Sequence, residues 1–209
     1  MRGLDAVITD AAAAVGVALS RAQSDLLMHY TELVFKWNRI ANLTGAKSSE
    51  DFIIRHIADC LTIVPYVVGT QVLDLGSGAG LPGIVLACVT PNKEITLVEP
   101  RGKRARFLEQ VRIELALRNV EVAAVRLENW QPDRPVDTFI CRAFGSLSEF
   151  LAATHAGQTL GCRLIAMKGR DPAPELAAID STAYRTEVQS LTVPGWESRH
   201  LVICDRLVA

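Results

Sequence analysis

Between residues 24 and 40 the apolar side chains Leu26, Leu27, Tyr30, Leu33, Val34 and Trp37 recur at steps of three and four. That is the period of a helix with one buried face, and Ser24 is placed to cap it. The stretch NLTGAKSSEDFIIRHIADCLTIVPYV reads as a loop, then a second helix capped near Ser48 or Ser49 and halted at Pro65. Residues 4–66 lack β-rich runs, so 1–66 is expected to form a small helical region.

From residue 71 the pattern changes. QVLDL, EITLVE, VEVAAVR and VDTFICRAF are short apolar runs of the kind buried on both faces of a sheet, with helical stretches after the first, second and fourth. Such alternation builds β-α-β units and a parallel sheet. RLIAMKG predicts a fifth strand, and YRTEVQSLTV and RHLVICDRL, separated by PGWES, predict a terminal hairpin. The expected fold is α/β: a mostly parallel seven-stranded sheet over 67–209, a terminal antiparallel hairpin and an N-terminal helical extension, forming one compact unit.

Composition narrows the class. Of 209 residues, 49 % are hydrophobic and 22 % charged, which excludes disordered, collagen-like and coiled-coil chains. A net charge of −1 means that any nucleic-acid contact must come from a local basic patch. Asp5 and Asp10 interrupt the first apolar stretch, so no signal peptide is predicted. No run reaches the roughly 18 apolar residues of a membrane span. Cys60, Cys88, Cys141, Cys162 and Cys204 form no C-x-x-C pair, which suggests reduced cytoplasmic thiols and neither a disulfide framework nor a metal site.

The most informative segment is VLDLGSGAGLPGIVLA. Gly78, Gly80 and Gly83 spell G-x-G-x-x-G, a weak signal alone because glycines after a strand can simply permit a tight turn. The order adds weight: a strand, then Gly76, Gly78 and Gly80, then a helix opening at Leu81 and Pro82, with Glu99 closing the next strand. Ligands of open parallel sheets bind at the carboxyl ends of the strands. An acid some twenty residues past such a loop can accept both ribose hydroxyls of an adenosine. Asp74 then discriminates: its carboxylate would repel a dinucleotide pyrophosphate, whereas the ammonium and sulfonium of S-adenosylmethionine tolerate it. Asp74-x-Gly76-x-Gly78-x-Gly80 resembles the glycine motif of Rossmann-like class I S-adenosylmethionine-dependent methyltransferases.

The segment after the fourth strand, ICRAFGSL, lacks the Asn/Asp-Pro-Pro-aromatic signature of amino-methylating enzymes. Cys141 lacks the Pro-Cys or Thr-Cys context of a nucleophile on cytosine. What remains is attack by a group that needs no base, such as a ring nitrogen, where positioning and water exclusion carry catalysis. Arg101, Lys103, Arg104 and Arg106 cluster where a helix begins, a place the macrodipole makes unfavourable for cations. A docked RNA phosphate would reverse that cost; a solvated helix face is the alternative.

KWNRIANLT, RHIADC, DLGSGAGLPGIVLA, EPRGKRARFLEQV, CRAFGSL and MKG resemble, in order and spacing, the bacterial 16S ribosomal RNA guanine-N7 methyltransferases, the RsmG or GidB family. The resemblance spans the chain from about residue 30 onward. It implies S-adenosyl-L-methionine as cofactor, guanine N7 in the decoding-region loop of 16S rRNA or the small ribosomal subunit as substrate, no membrane partner, and a cytoplasmic monomer. By position it implies that Gly76, Gly78 and Leu81 line the cofactor, with Glu99 on the ribose and Leu127 and Glu128 at the adenine. Arg142 would sit by the methionine end as a positioning group, and no general base is required. Asn42, His56, Lys103, Arg104 and Lys168 are the candidates for substrate RNA. Asn42 could equally hold a turn, His56 cap a helix, Lys168 cap a strand end and Arg142 pair with an acid. Cys60 and Cys141 stand where the family often has Ser, a difference that touches local packing. A non-catalytic cofactor-sensing or ribosome-assembly protein, and a methyltransferase of another substrate, remain alternatives.

Overall fold

The computed structural model describes residues 3–207. The chain enters its fold through two helices, α1 (Leu4–Ala14) and α2 (Arg21–Ala41). Ser20, and not Ser24, starts α2. Its hydroxyl accepts from the Gln23 N–H at 3.3 Å and the Gln23 side chain accepts from the Ser20 N–H at 2.8 Å. This reciprocal box satisfies two amides that the first turn leaves unpaired, and Ser24 is buried inside the helix. The predicted stripe is present: Leu27, Tyr30, Leu33 and Val34 are buried, and Trp37 is tilted against Phe107 at 5.9 Å.

Ser48 caps the next helical segment by accepting from the Asp51 N–H. This segment runs through α3 (Ser49–Phe52), a π-helical turn (Ile53–Ile57) and α4 (Ala58–Leu61). The period gave no sign of the π turn, a feature frequent at functional sites; it carries Arg55 and His56 on the half-buried side of the segment.

The alternating part follows as β1 (Gln71–Leu75), α5 (Gly83–Val89), β2 (Glu94–Val98), α6 (Gly102–Glu114), β3 (Val120–Ala123), β4 (Val136–Arg142), α7 (Leu147–Thr154), β5 (Gln158–Lys168), α8 (Ala173–Leu176), β6 (Tyr184–Leu191) and β7 (Arg199–Arg206). The seven strands lie in the order β3-β2-β1-β4-β5-β7-β6, with β7 antiparallel to both neighbours. This is the mostly parallel sheet with a terminal antiparallel hairpin that the apolar runs predict. β3 stops short of the predicted AVR residues, and β5 begins earlier than RLIAMKG indicated.

Strand side chains alternate between two cores. Val72, Ile95, Ile140, Ile165 and Ile203 face α1, α2, α5 and α6 in one core. Leu73, Phe139, Cys141, Leu164 and Val202 face α7 in the other. Helices α1 and α2 therefore share the core that supports one face of the sheet.

Candidate cofactor cleft and substrate edge

The sheet order reverses between β1 and β4, so a crevice opens at their carboxyl ends. Register brings the chemistry there. Leu75 pairs with both Val98 and Cys141, so the next residues, Gly76, Glu99 and Arg142, emerge side by side. The loop leaving β1 folds back on β2, with the Gly76 and Ser77 amides donating to the Val98 carbonyl. Gly76, Gly78 and Gly80 have φ of +65°, +59° and +92°, a region that other residues enter at a cost. Gly80 is also crowded: a Cβ there would lie 2.5 Å from Ile84.

Helix α5 opens at Gly83 with Pro82 as its cap, two residues later than the sequence indicated, after a cis Leu81–Pro82 peptide. The Gly83 N–H donates to Asp74 Oδ2 at 3.0 Å. Asp74 is fully buried, and its Oδ1 has no partner. Burial raises its carboxyl pKa to about 7, against the opposing bonds from Gly83 and Ser77.

Beside the loop lies a cleft of ≈ 640 Å³ walled by Gly76, Val98, Pro100, Leu127, Glu128 and Phe144. Leu127 and Glu128 stand on a 3-10 turn, Leu127–Asn129. Glu99 lies behind the wall, 3 % exposed. Its carboxylate accepts from the Gly78 N–H at 2.8 Å and the Arg101 N–H at 2.9 Å, fastening the glycine loop to the start of α6. Leu81 packs half-buried on the helical-side core and does not line the cleft. The open face at Gly76, apolar walls for a flat ring and an acid behind the loop fit the nucleoside end of S-adenosylmethionine.

Two further groups line up along the same sheet edge. Arg101 caps α6 without a side-chain bond, and no acid occupies the first turn. Lys103 and Arg106 are exposed, and Arg104 donates to the Asn42 carbonyl at 3.1 Å. Asn42 is the left-handed C-cap of α2, φ +48°. The other group is largely buried. Arg142 reaches His56 Nδ1 at 2.6 Å, Asp59 Oδ2 at 3.5 Å and Cys60 Sγ at 3.5 Å. Because a guanidinium only donates, His56 Nδ1 accepts and the ring proton sits on Nε2. Burial, then the Arg142 charge, lowers the His56 pKa to about 4. Lys168 ends β5 and donates to the Gly145 carbonyl at 3.0 Å and to Glu175 at 2.9 Å. Cys141 is buried, and burial pushes its thiol pKa strongly upward, the reverse of what a nucleophile needs.

The sheet edge thus brings Gly76, Leu127 and Glu128 to the cleft, Asn42 to Arg104, and His56 to Arg142. Lys168 stands apart at the end of β5, held by Glu175 of α8. The sequence reading missed Asp59, Arg199, Trp196 and Phe144, and missed the hydroxyl of Tyr30. A signal existed for the buried acid, since Asp59 interrupts the apolar run IADCL, whereas Arg199 follows Glu197 and Ser198 at the polar start of β7.

A seven-stranded sheet of this order, with a glycine loop and cleft at its switch point, defines a class I methyltransferase fold. Solved structures share it. A S-adenosylmethionine-dependent methyltransferase from Aquifex aeolicus superposes with TM-score 0.56 at 17 % identity, covering 83 % of this chain and 98 % of that one. Precorrin-6y C5,15-methyltransferase from Geobacter metallireducens gives 0.56 at 16 % identity, covering 72 % and 88 %. Residues 23–202 match the family rRNA small subunit methyltransferase G. Ribosomal RNA small subunit methyltransferase G of Pseudomonas syringae pv. tomato is 44 % identical over 193 residues, 92 % of each chain. The protein of that name from Nitrosospira multiformis is 40 % identical over 207 residues, 95 % of this chain and 96 % of that one. The chain belongs to the rRNA small subunit methyltransferase G family. Among the described residues no helix is long and apolar enough to cross a membrane.

Proposed function

We propose that this chain transfers a methyl group from S-adenosylmethionine to N7 of a guanine in the decoding-region loop of 16S rRNA, acting as a cytoplasmic monomer. The family match over residues 23–202 carries this reading. The helical region 1–66 and the methyltransferase domain 67–209 work together in it.

When bound, S-adenosylmethionine supplies an electrophilic methyl group. A guanine N7 lone pair needs no deprotonation, so this chain has only to orient and shield it. Gly76, Gly78, Leu127 and Glu128 hold the nucleoside side of the cleft, and Glu99 both stiffens the loop and offers its remaining lone pairs to the ribose. Arg142 and neutral His56 form the wall toward the substrate, with Nε2–H of His56 available as a donor. Lys103, Arg104, Asn42 and Lys168 meet the RNA backbone, where phosphate charge compensates cations held at the positive end of α6.

Purified protein would be incubated with labelled S-adenosylmethionine and small ribosomal subunits from cells lacking it, and the label mapped by nucleotide. Label on one guanine N7, abolished by Gly76→Asp, is the expected result. Cofactor binding with no transfer to subunits or RNA would overturn the rRNA assignment.

A further inference from the structure

Helix α2 holds the glycine loop and the helices around it at three points. The Tyr30 hydroxyl donates to the Ala79 carbonyl at 2.7 Å, both groups being buried. At the far end of α5, the Gln23 side-chain amide donates to the Val89 carbonyl at 2.9 Å. The carbonyl of Asn42, the cap of α2, takes the bond from Arg104. An Arg104 nitrogen in turn lies 3.8 Å from where a Cβ on Gly78 would sit.

Of the three contacts, Tyr30 to Ala79 bears directly on the loop. Ala79 lies between Gly78 and Gly80, both left-handed, so holding its carbonyl fixes the Ala79–Gly80 peptide plane that joins the two turns. Phenylalanine would fill the same space within the stripe of α2 and against Phe52, whose ring is 6.0 Å away. A buried tyrosine is distinguished by its need for a hydrogen-bond partner. Burial also holds the Tyr30 phenol pKa well above its usual range, so the hydroxyl remains a donor at working pH.

We propose that Tyr30 is a positioning residue of the cofactor site: through the Ala79 carbonyl it sets the Gly78–Gly80 turns in their binding geometry before S-adenosylmethionine arrives. The helical region is then part of the cofactor site as well as its neighbour. Presetting a loop removes an ordering cost from binding, so the effect falls on cofactor affinity. This inference rests on the cofactor reading above.

The test uses the full chain with Tyr30→Phe, and Thr31→Val as control. Thr31 is equally buried, but its hydroxyl donates to the Leu27 carbonyl inside α2, away from the loop. S-adenosylmethionine affinity is measured by calorimetry, KM and kcat on small ribosomal subunits, and hydrogen exchange of the 76–84 amides without cofactor. Tyr30→Phe is expected to raise both Kd and KM for S-adenosylmethionine by roughly five- to tenfold, the size of one net hydrogen bond. Its kcat at saturating cofactor stays within about twofold, because the loop reaches the same bound geometry. Its loop amides exchange faster, and Thr31→Val shows none of this. Unchanged affinity in Tyr30→Phe, or equal weakening in Thr31→Val, overturns the inference. A wild-type chain that binds no S-adenosylmethionine overturns the cofactor reading instead, and loop exchange still decides whether Tyr30 braces the loop.

Discussion

Asp59 and Arg199, 140 positions apart in the chain, meet as a two-point ion pair, with Arg199 Nε 2.7 Å from Asp59 Oδ1 and its terminal nitrogen on Oδ2. The pair ties α4 to β7 beneath the substrate edge, and Arg142 approaches the same carboxylate from β4. Trp196 lies against both Arg199 and Arg55, 4.7 and 4.4 Å from its ring centre, and its indole N–H donates to the Arg55 carbonyl. One buried carboxylate therefore serves two guanidiniums and sets the position of His56 through Arg142.

Removing that carboxylate should be costly. Asp59→Ala leaves two arginines facing each other at a site that is 1 % exposed at Asp59 and 8 % at Arg199. Breaking a buried pair on one side costs about 3–5 kcal/mol. Urea unfolding is expected to show a loss of that order. A loss below about 1 kcal/mol would mean that water or rearrangement meets the charge, and that the pair does not organise the edge.

Buried Asp74 and half-buried His56 predict opposing pH dependences. Asp74 has its pKa raised to about 7 from an ordinary value of 3.8. The native state therefore binds its proton more readily than the unfolded chain, and the stability this contributes is complete below about 4 and lost as pH rises through 7. His56 runs the other way, lowered from 6.5 to about 4. Its contribution is present above 6.5 and lost as pH falls toward 4. Asp74→Asn should thus remove a decline of stability between about pH 4 and 7, whereas His56→Gln should remove a decline on the acid side of 6.5. Unfolding midpoints at pH 5, 6 and 8 for the wild type and both variants check the signs. Parallel profiles for wild type and Asp74→Asn would refute the Asp74 assignment.

The glycines of the loop are not equivalent. Gly76 needs its left-handed backbone but has room, since a Cβ there meets only Phe144 at 3.7 Å. Gly80 needs both the backbone and the space, with Ile84 at 2.5 Å and Leu108 at 3.0 Å. Gly76→Ala should cost about 1 kcal/mol of backbone strain, and Gly80→Ala about 1–3 kcal/mol more from overpacking. Thermal unfolding and S-adenosylmethionine titration of the pair provide the check, and equal penalties would count against the crowding.

The sheet, its order of elements and the glycine loop were legible because each rests on local pattern: β-branched runs, a 3.6-residue stripe, and glycines where a strand must turn sharply. Ser20 was missed as the cap because Ser24 stands nearer the apolar stripe, although Gln23 completes a box only with Ser20. Pro82 proved to be a cap, so α5 opened later than expected. Gly76, Leu127 and Glu128 could be placed at the cleft from motif position. The partners of Arg142 could not, since Asp59 lies 83 residues earlier in the chain and only the packing of α4 against the sheet edge brings it there. The role of the Tyr30 hydroxyl was hidden for the same reason: in one dimension a stripe tyrosine and a stripe phenylalanine look alike.

Lys103 offers the cleanest test of the RNA edge. Arg104 is partly engaged with Asn42, and Arg101 gives its amide to Glu99, but Lys103 is exposed on the first turn of α6 beside no acid of that turn. A lysine that meets a phosphate releases one counterion on binding. Lys103→Ala should therefore weaken binding to small-subunit RNA at all salt concentrations and flatten the slope of log K against log salt by just under one. Its affinity for S-adenosylmethionine should stay at the wild-type value, because the cleft wall turns on Gly76, Leu127 and Phe144. An unchanged slope would place Lys103 outside the footprint and shift the electrostatic contact toward Arg104 and Arg106.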